Sequence, residues 1–389
     1  MYKVKILNNI KSKELERLCN TKYEVSAEIE APDAILVRSA KLHDEQFGAD
    51  LLCIARAGAG VNNIPLERCA DEGIVVFNTP GANAQGVVEL ALCGLFLSAR
   101  KIIDGVSWVR SVADKGDEVA ALVEKQKAQY AGPEILGKTL GVIGLGAIGA
   151  KIANSANALG MKVLGYDPYI SEAAAKSLSP EITIIDSLDK LYSAADFISL
   201  NVPYMEATKR FINRDTIGKM KQGVRIINMA RAELVCDDGI LEALESGHVA
   251  CYVTDFPNGR TAGAPGVVAI PHLGASTPES EDNCVAMACD EVIEYVENGN
   301  IVNSVNLPAA HMPRSGSPRL CVIYKSAAGV AEHLKSVIAE FGGDMGNMLD
   351  ANTQKMTHAY IIAELSKVPA GLEDAVRAID GVTRVRVLP

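Results

Sequence analysis

The feature that most constrains this chain is a glycine pattern at the end of a short apolar run. Residues 138–168 read KTLGVIGLGAIGAKIANSANALGMKVLGYDP. The run at 139–143 predicts a strand, and Gly144, Gly146 and Gly149 follow it as G-x-G-x-x-G. A helical pattern covers 147–159, a second strand covers 161–166, and Asp167 closes it. This order predicts a dinucleotide-binding unit. Gly144 permits the sharp turn, Gly146 has no side chain to block a pyrophosphate, and Gly149 lets the helix lie close to the strand. The backbone at Ala147 and Ile148 opens the helix and turns its N–H groups toward phosphate. Asp167 stands 23 residues after Gly144, where its carboxylate accepts hydrogen bonds from ribose hydroxyls. A carboxylate there repels a 2'-phosphate, so NAD is expected rather than NADP.

The 389 residues suffice for two or three domains. Only 5% are aromatic against 48% hydrophobic, so the core must be built mainly of Ala, Val, Ile and Leu, as in helix-covered parallel sheets. A net charge of −10 counts against a nucleic-acid surface. The nine cysteines form no CxxC and no Cys/His cluster with metal-site spacing. They read as small buried hydrophobes in a reducing, cytoplasmic compartment, with no metal expected. The first ten residues read as a charged strand rather than a signal peptide. The apolar run at 87–99 is broken by Glu89 and too short to span a bilayer, so no membrane partner is expected.

Taken in order, residues 3–7, 34–37, 51–55 and 74–77 are short apolar strands separated by helical or loop material. Parallel strands with right-handed crossovers explain that rhythm. Ligands in such sheets gather beyond the carboxyl ends of strands. Arg38 and Arg56 lie there, and a guanidinium matches carboxylate and phosphate geometry. Either could equally be a solvated surface arginine. Residues 78–81 form a turn, a long apolar helix follows over 84–102, and the charged segment 104–136, with Trp108, reads as a linker. After Asp167, strands are expected at 182–185, 197–200, 224–228, 249–254 and 267–270. Arg231, Asp255 and His272 each fall just beyond one of them. The helix at 278–298 is long enough to return to the first lobe, and 303–317 reads as a linker. The tail alternates as β-α-β-β-α-β, with strands at 320–324, 345–349, 358–365 and 383–388 and helices at 328–341 and 369–379. The expected domains are therefore 1–103 with 281–312, 104–280, and 317–389.

His272 is the natural acid–base group, because imidazole titrates near neutral pH and alcohol oxidation must release a hydroxyl proton. Arg231 can hold a substrate carboxylate and polarise a forming carbonyl, or can pair with Glu233. Asp255 can orient a nicotinamide carboxamide or cap a turn. A relay would place a carboxylate behind His272. The loop 256–265 contains no acid, and Glu89, Glu279 and Glu281 all stay open as that partner.

Five segments together carry a resemblance. They are IARAGAGVNNI at 54–64, NTPGANAQGVVEL at 78–90, LGVIGLGAIG at 140–149, INMARAELV at 227–235 and PHLGAST at 271–277. The chain resembles the D-2-hydroxyacid dehydrogenases over nearly its whole length. The resemblance implies an α/β fold of doubly wound parallel-sheet lobes, a Rossmann-type NAD lobe inserted in a flavodoxin-like substrate lobe, followed by an ACT-like tail. It implies Arg231 and His272 as catalytic, Arg56, Arg38 and Gly58 near the substrate, and Asp167 at the ribose. On the cofactor side it adds Thr79, Asn201, Val202, Pro203, Ala230, Asp255 and Gly274. It further implies NAD as cofactor, a phosphorylated small 2-hydroxy acid as substrate, and a homodimer or homotetramer. An unphosphorylated hydroxy acid and an NAD(H)-binding regulatory role with little turnover are the alternatives. Arg260 occupies the position of the usual catalytic glutamate, Ala232-Glu233 replaces two glycines, and Asn201 replaces a histidine. In the tail, Ser326 stands where effector-binding ACT domains present Asn, which counts against feedback by serine.

Overall fold

The structure, a computed structural model, describes every residue except 9, 327 and 328. The helix start expected at 328 and the Ala327-Ala328 part of the effector-type loop therefore lie outside the described residues. The chain divides into two units, Met1–Asn83 with Pro278–Pro389, and Ala84–Thr277.

In the first unit, five strands form a wholly parallel sheet in the order β2-β1-β3-β4-β5. They are β1 (Tyr2–Ile6), β2 (Tyr23–Ser26), β3 (Ala34–Val37), β4 (Cys53–Arg56) and β5 (Val75–Asn78). Burial on both faces explains the unbroken apolar runs of β3 and β5. β2 was not expected: it is a four-residue edge strand with only Tyr23 buried, so it lacks an apolar run. The helix Pro278–Asn298 does return to this lobe, placing Cys284, Val285, Ala288, Val292 and Tyr295 in its core.

The second unit holds seven parallel strands in the order β12-β11-β10-β9-β6-β7-β8. These are β6 (Thr139–Ile143), β7 (Lys162–Tyr166), β8 (Thr183–Ile184), β9 (Phe197–Leu200), β10 (Val224–Asn228), β11 (Val249–Thr254) and β12 (Val267–Ala269). The order reverses between β6 and β9, the switch point at which such sheets bind ligands. The helix Ala84–Ala99 packs here. A Cβ on Gly94 would come within 3.0 Å of Met229 and 3.2 Å of Ile227, so glycine is what lets this helix lie on β10 and β11. The segment expected as a linker is largely helical, with helices Ile102–Ser111 and Val119–Gln126 inside this unit.

The tail forms an antiparallel sheet of β13 (Arg319–Lys325), β14 (Met345–Ala351), β15 (His358–Leu365) and β16 (Val382–Leu388), ordered β14-β15-β13-β16. One face, with Leu320, Val322 and Tyr324, packs on its own two helices, Val330–Glu340 and Leu372–Arg377. The other face, with Cys321, Ile323, Tyr360, Ile362 and Leu388, joins the core of the first lobe. Arg319 is fully buried at this junction, where it pairs with Glu364 at 3.0 Å and donates to the carbonyls of Met312, Pro313 and Asn298. The tail is thus built into the first lobe through a shared core, although 317–389 reads in the sequence as a separate module.

Candidate active site

The glycine turn has the geometry its sequence requires. Gly144 adopts φ +89°, and a Cβ on it would lie 2.5 Å from the carbonyl oxygen of Asn201. A Cβ on Gly149 would lie 1.8 Å from the carbonyl oxygen of Gly144, which forbids any side chain there. Gly146 is exposed with open space above it. Ala147 and Ile148 lead into the helix Gly149–Ala158, whose Ala150 and Ile152 amides donate to the carbonyls of Gly146 and Ile148, each at 3.0 Å. Asn201, Val202 and Pro203 leave the end of β9 beside this turn, and Asn201 Nδ2 donates to Ser199 at 3.2 Å. The Asp167 carboxylate accepts from the Leu145 amide and the Tyr169 amide, each at 2.9 Å. Both oxygens keep further acceptor capacity. A bare glycine cradle at a helix N-terminus, with an acid at the end of the next strand, fits a dinucleotide.

A second cluster lies at the carboxyl ends of β10, β11 and β12. The Arg231 loop is braced by Asn228, which is fully buried. Its Oδ1 accepts from the amides of Ala230 (3.1 Å) and Arg231 (3.3 Å), and its Nδ2 donates to the Arg231 carbonyl (2.8 Å). Asp255 is 1% exposed and holds the chain that carries the histidine: its oxygens accept from the amides of Leu273 (2.7 Å) and Gly274 (2.9 Å). A Cβ on Gly274 would approach Asp255 Oδ2 to 3.1 Å. The His272 amide donates to the Asp255 carbonyl, and His272 sits at φ +53°, a left-handed conformation fixed by this loop. Its imidazole packs on the Phe256 ring at 4.7 Å between centroids, and the Arg231 guanidinium lies 5.8 Å from the same ring. Arg231, Asp255 and His272, far apart in sequence, are brought together, with Asn228 and Phe256 as members the sequence reading did not name.

Among the described residues of this unit His272 forms no ion pair, and neither does Arg231, so the expected alternative of an Arg231–Glu233 pair is not formed. Arg260 pairs instead with Asp238 at 2.7 Å and holds that carboxyl below its ordinary range. Glu89 accepts from Gln85 within its own helix.

In the first unit, Arg56 Nε donates to the Arg38 carbonyl at 3.0 Å. A Cβ on Gly58 would lie 2.6 Å from Arg56 Nη1, so glycine there makes room for the guanidinium. The Gly58 amide donates to the fully buried Thr79 hydroxyl at 2.7 Å. Arg38 pairs with Glu281 at 2.5 Å, which takes Glu281 up as an ion-pair partner.

With this geometry in hand, the comparisons are specific. Residues 95–274 match the family described as "D-isomer specific 2-hydroxyacid dehydrogenase, NAD binding domain". Over these residues the chain is similar to that NAD-binding domain. NAD is accordingly the cofactor for which the glycine turn and Asp167 are built. The chain is 31% identical over 347 residues to the D-3-phosphoglycerate dehydrogenase of Bacillus subtilis, covering 87% of this chain and 63% of that one. It is 33% identical over 320 residues to the enzyme of the same name from Synechocystis, covering 80% and 54%. The chain thus spans less than two thirds of the length of these curated relatives. Among solved structures it resembles the NAD+-bound 3-phosphoglycerate dehydrogenase of Entamoeba histolytica, with a TM-score of 0.61 and 26% identity, over 78% of this chain and 98% of that one. No helix among the described residues is long and apolar enough to cross a membrane, and no group of His, Cys, Asp or Glu among them could hold a metal ion.

Proposed function

We propose that the chain is an NAD-dependent dehydrogenase of a small D-2-hydroxy acid, and that its substrate is 3-phospho-D-glycerate, oxidised reversibly to 3-phosphohydroxypyruvate at the first step of serine synthesis. The observation that carries this reading is the convergence of Arg231 and His272 on one ring, on strand ends of an NAD-binding domain. The exposed His272 imidazole accepts the C2 hydroxyl proton, and the exposed Arg231 guanidinium holds the carboxylate and draws electron density from the forming carbonyl. Asp255 fixes the backbone under His272, and Asn228 fixes it under Arg231. Bound NAD supplies the hydride acceptor. Arg56 and Arg38 are the groups proposed for the remaining anionic part of the substrate. The names borne by the curated relatives favour the phosphorylated acid.

A substrate panel tests it. NADH oxidation should run faster with 3-phosphohydroxypyruvate than with hydroxypyruvate or glyoxylate, and Arg56→Ala should erase that preference. Equal rates without the phosphate would move the assignment to another D-2-hydroxy acid. The second reading, an NAD(H)-binding regulatory protein, rests on the pairing of Arg260 with Asp238 in place of a carboxylate relay. It predicts NADH binding without turnover. We also propose a homodimer or homotetramer. Ile102, Ile103, Val106 and Val109 stay exposed on the helix Ile102–Ser111, the patch proposed for that contact, and light scattering should find the mass of two or four chains in solution.

A further inference from the structure

We infer that Phe256 is the positioning residue of this site, and that its ring takes over the orienting task a carboxylate would perform behind His272. The inference rests on the dehydrogenase reading above and assigns a role within it. Phe256 follows Asp255 directly at the end of β11, and its amide donates to the Thr254 hydroxyl at 3.1 Å, so the ring leaves a rigid strand end rather than a free loop. It is partly buried, whereas the two groups it touches are exposed. The imidazole of His272 packs on it at 4.7 Å with the planes 50° apart, within the range of a favourable tilted aromatic pair. The guanidinium of Arg231 lies 5.8 Å from its centroid, within cation–π reach. One ring therefore lies against both polar groups that meet the substrate; the guanidinium is held in addition by its hydrogen bond to the Ala230 carbonyl at 2.6 Å, whereas the imidazole, among the described residues of this unit, has only the ring. The backbone alone does not fix the imidazole: Asp255 binds the amides of Leu273 and Gly274, but no hydrogen bond to another residue restrains the His272 ring among the described residues of this unit. Arg260 does not supply the restraint either, being engaged with Asp238.

The role is one of geometry, so its loss should lower kcat while sparing cofactor binding. Phe256→Leu keeps an apolar side chain but removes the aromatic face, and should cut kcat about tenfold or more, since small misplacements of reacting groups carry such costs. NADH affinity, read by fluorescence, should stay within about twofold, and Phe256→Tyr, which keeps the ring, should recover most of the rate. A second readout needs no turnover. The His272 ring protons, assigned in NMR spectra by loss in His272→Gln, should shift when the neighbouring ring is removed in Phe256→Leu and not in Phe256→Tyr. Wild-type kcat in Phe256→Leu, unmoved His272 resonances, or parallel loss of turnover and NADH binding would each overturn the proposal. If the wild-type chain turns over no 2-keto acid, the dehydrogenase reading fails on its own, and the resonances decide whether Phe256 positions His272.

Discussion

Glu291 makes the first unit sensitive to alkali. It lies on the returning helix, is 4% exposed, and accepts from Asn303 Nδ2 at 2.8 Å through Oε1, while Oε2 is buried with no hydrogen-bond partner. Burial pushes its carboxyl up from 4.5 to about 8. The folded chain therefore keeps a proton on Glu291 that the unfolded chain has already lost. Stability from this group is fully present below pH 4.5 and falls as pH rises toward about 8, with no further loss above it. Each unit of difference corresponds to about 1.4 kcal/mol, so partial hydration and relaxation still leave an effect on the order of 2 kcal/mol between pH 5 and pH 9. Glu291→Gln keeps the oxygen that accepts from Asn303 and removes the ionisation. The variant should match the wild type near pH 5 and be the more stable at pH 9. Hydrogen exchange along Pro278–Asn298, followed by mass spectrometry at both pH values, reads the local stability of this helix. Parallel pH dependence in the two proteins, or a variant less stable at pH 9, would refute the reasoning.

Further outcomes follow from single contacts. Gly149→Ala places a methyl group 1.8 Å from the Gly144 carbonyl oxygen and should abolish NADH binding while the first unit keeps its thermal transition. Arg319→Met strands a buried Glu364 and should cost about 3–5 kcal/mol in urea denaturation, much of it recovered by adding Glu364→Leu. Burial alone would raise the Glu364 carboxyl, but hydrogen bonds from Ser315 and Arg319 outweigh it and hold it at about 2. Its contribution is therefore present above pH 4.5 and lost as pH falls toward about 2, which an acid titration of first-unit unfolding checks. Arg260→Gln removes an exposed, solvent-screened pair with Asp238 and should leave the denaturation midpoint essentially unchanged.

The parts of this molecule legible in its sequence are those set by local rules. The glycine turn, Asp167 and the strand-end positions of Arg231, Asp255 and His272 follow from spacing, because a parallel sheet exposes its loops at one end. β2 escaped because an edge strand with one buried residue carries no apolar run. Phe256 and Asn228 escaped because their importance lies in tertiary contacts, a ring under an imidazole and a buried amide under a loop. The shared core of the tail left a signal that could have been read. The five apolar residues at 320–324, in place of an alternating pattern, mark a strand buried on both faces, and the second face had to meet something beyond its own helices. The shift of the helix Ala84–Ala99 into the second unit turns on Gly94 meeting Ile227 and Met229, a pairing that spacing cannot reveal.

The most direct test of the account is a paired measurement of NADH binding and NADH oxidation, in the presence of 3-phosphohydroxypyruvate, for the wild type, His272→Gln and Arg231→Gln. The account predicts that all three bind NADH and that only the wild type turns over. Undiminished turnover in either variant, or binding without turnover in the wild type, would contradict it.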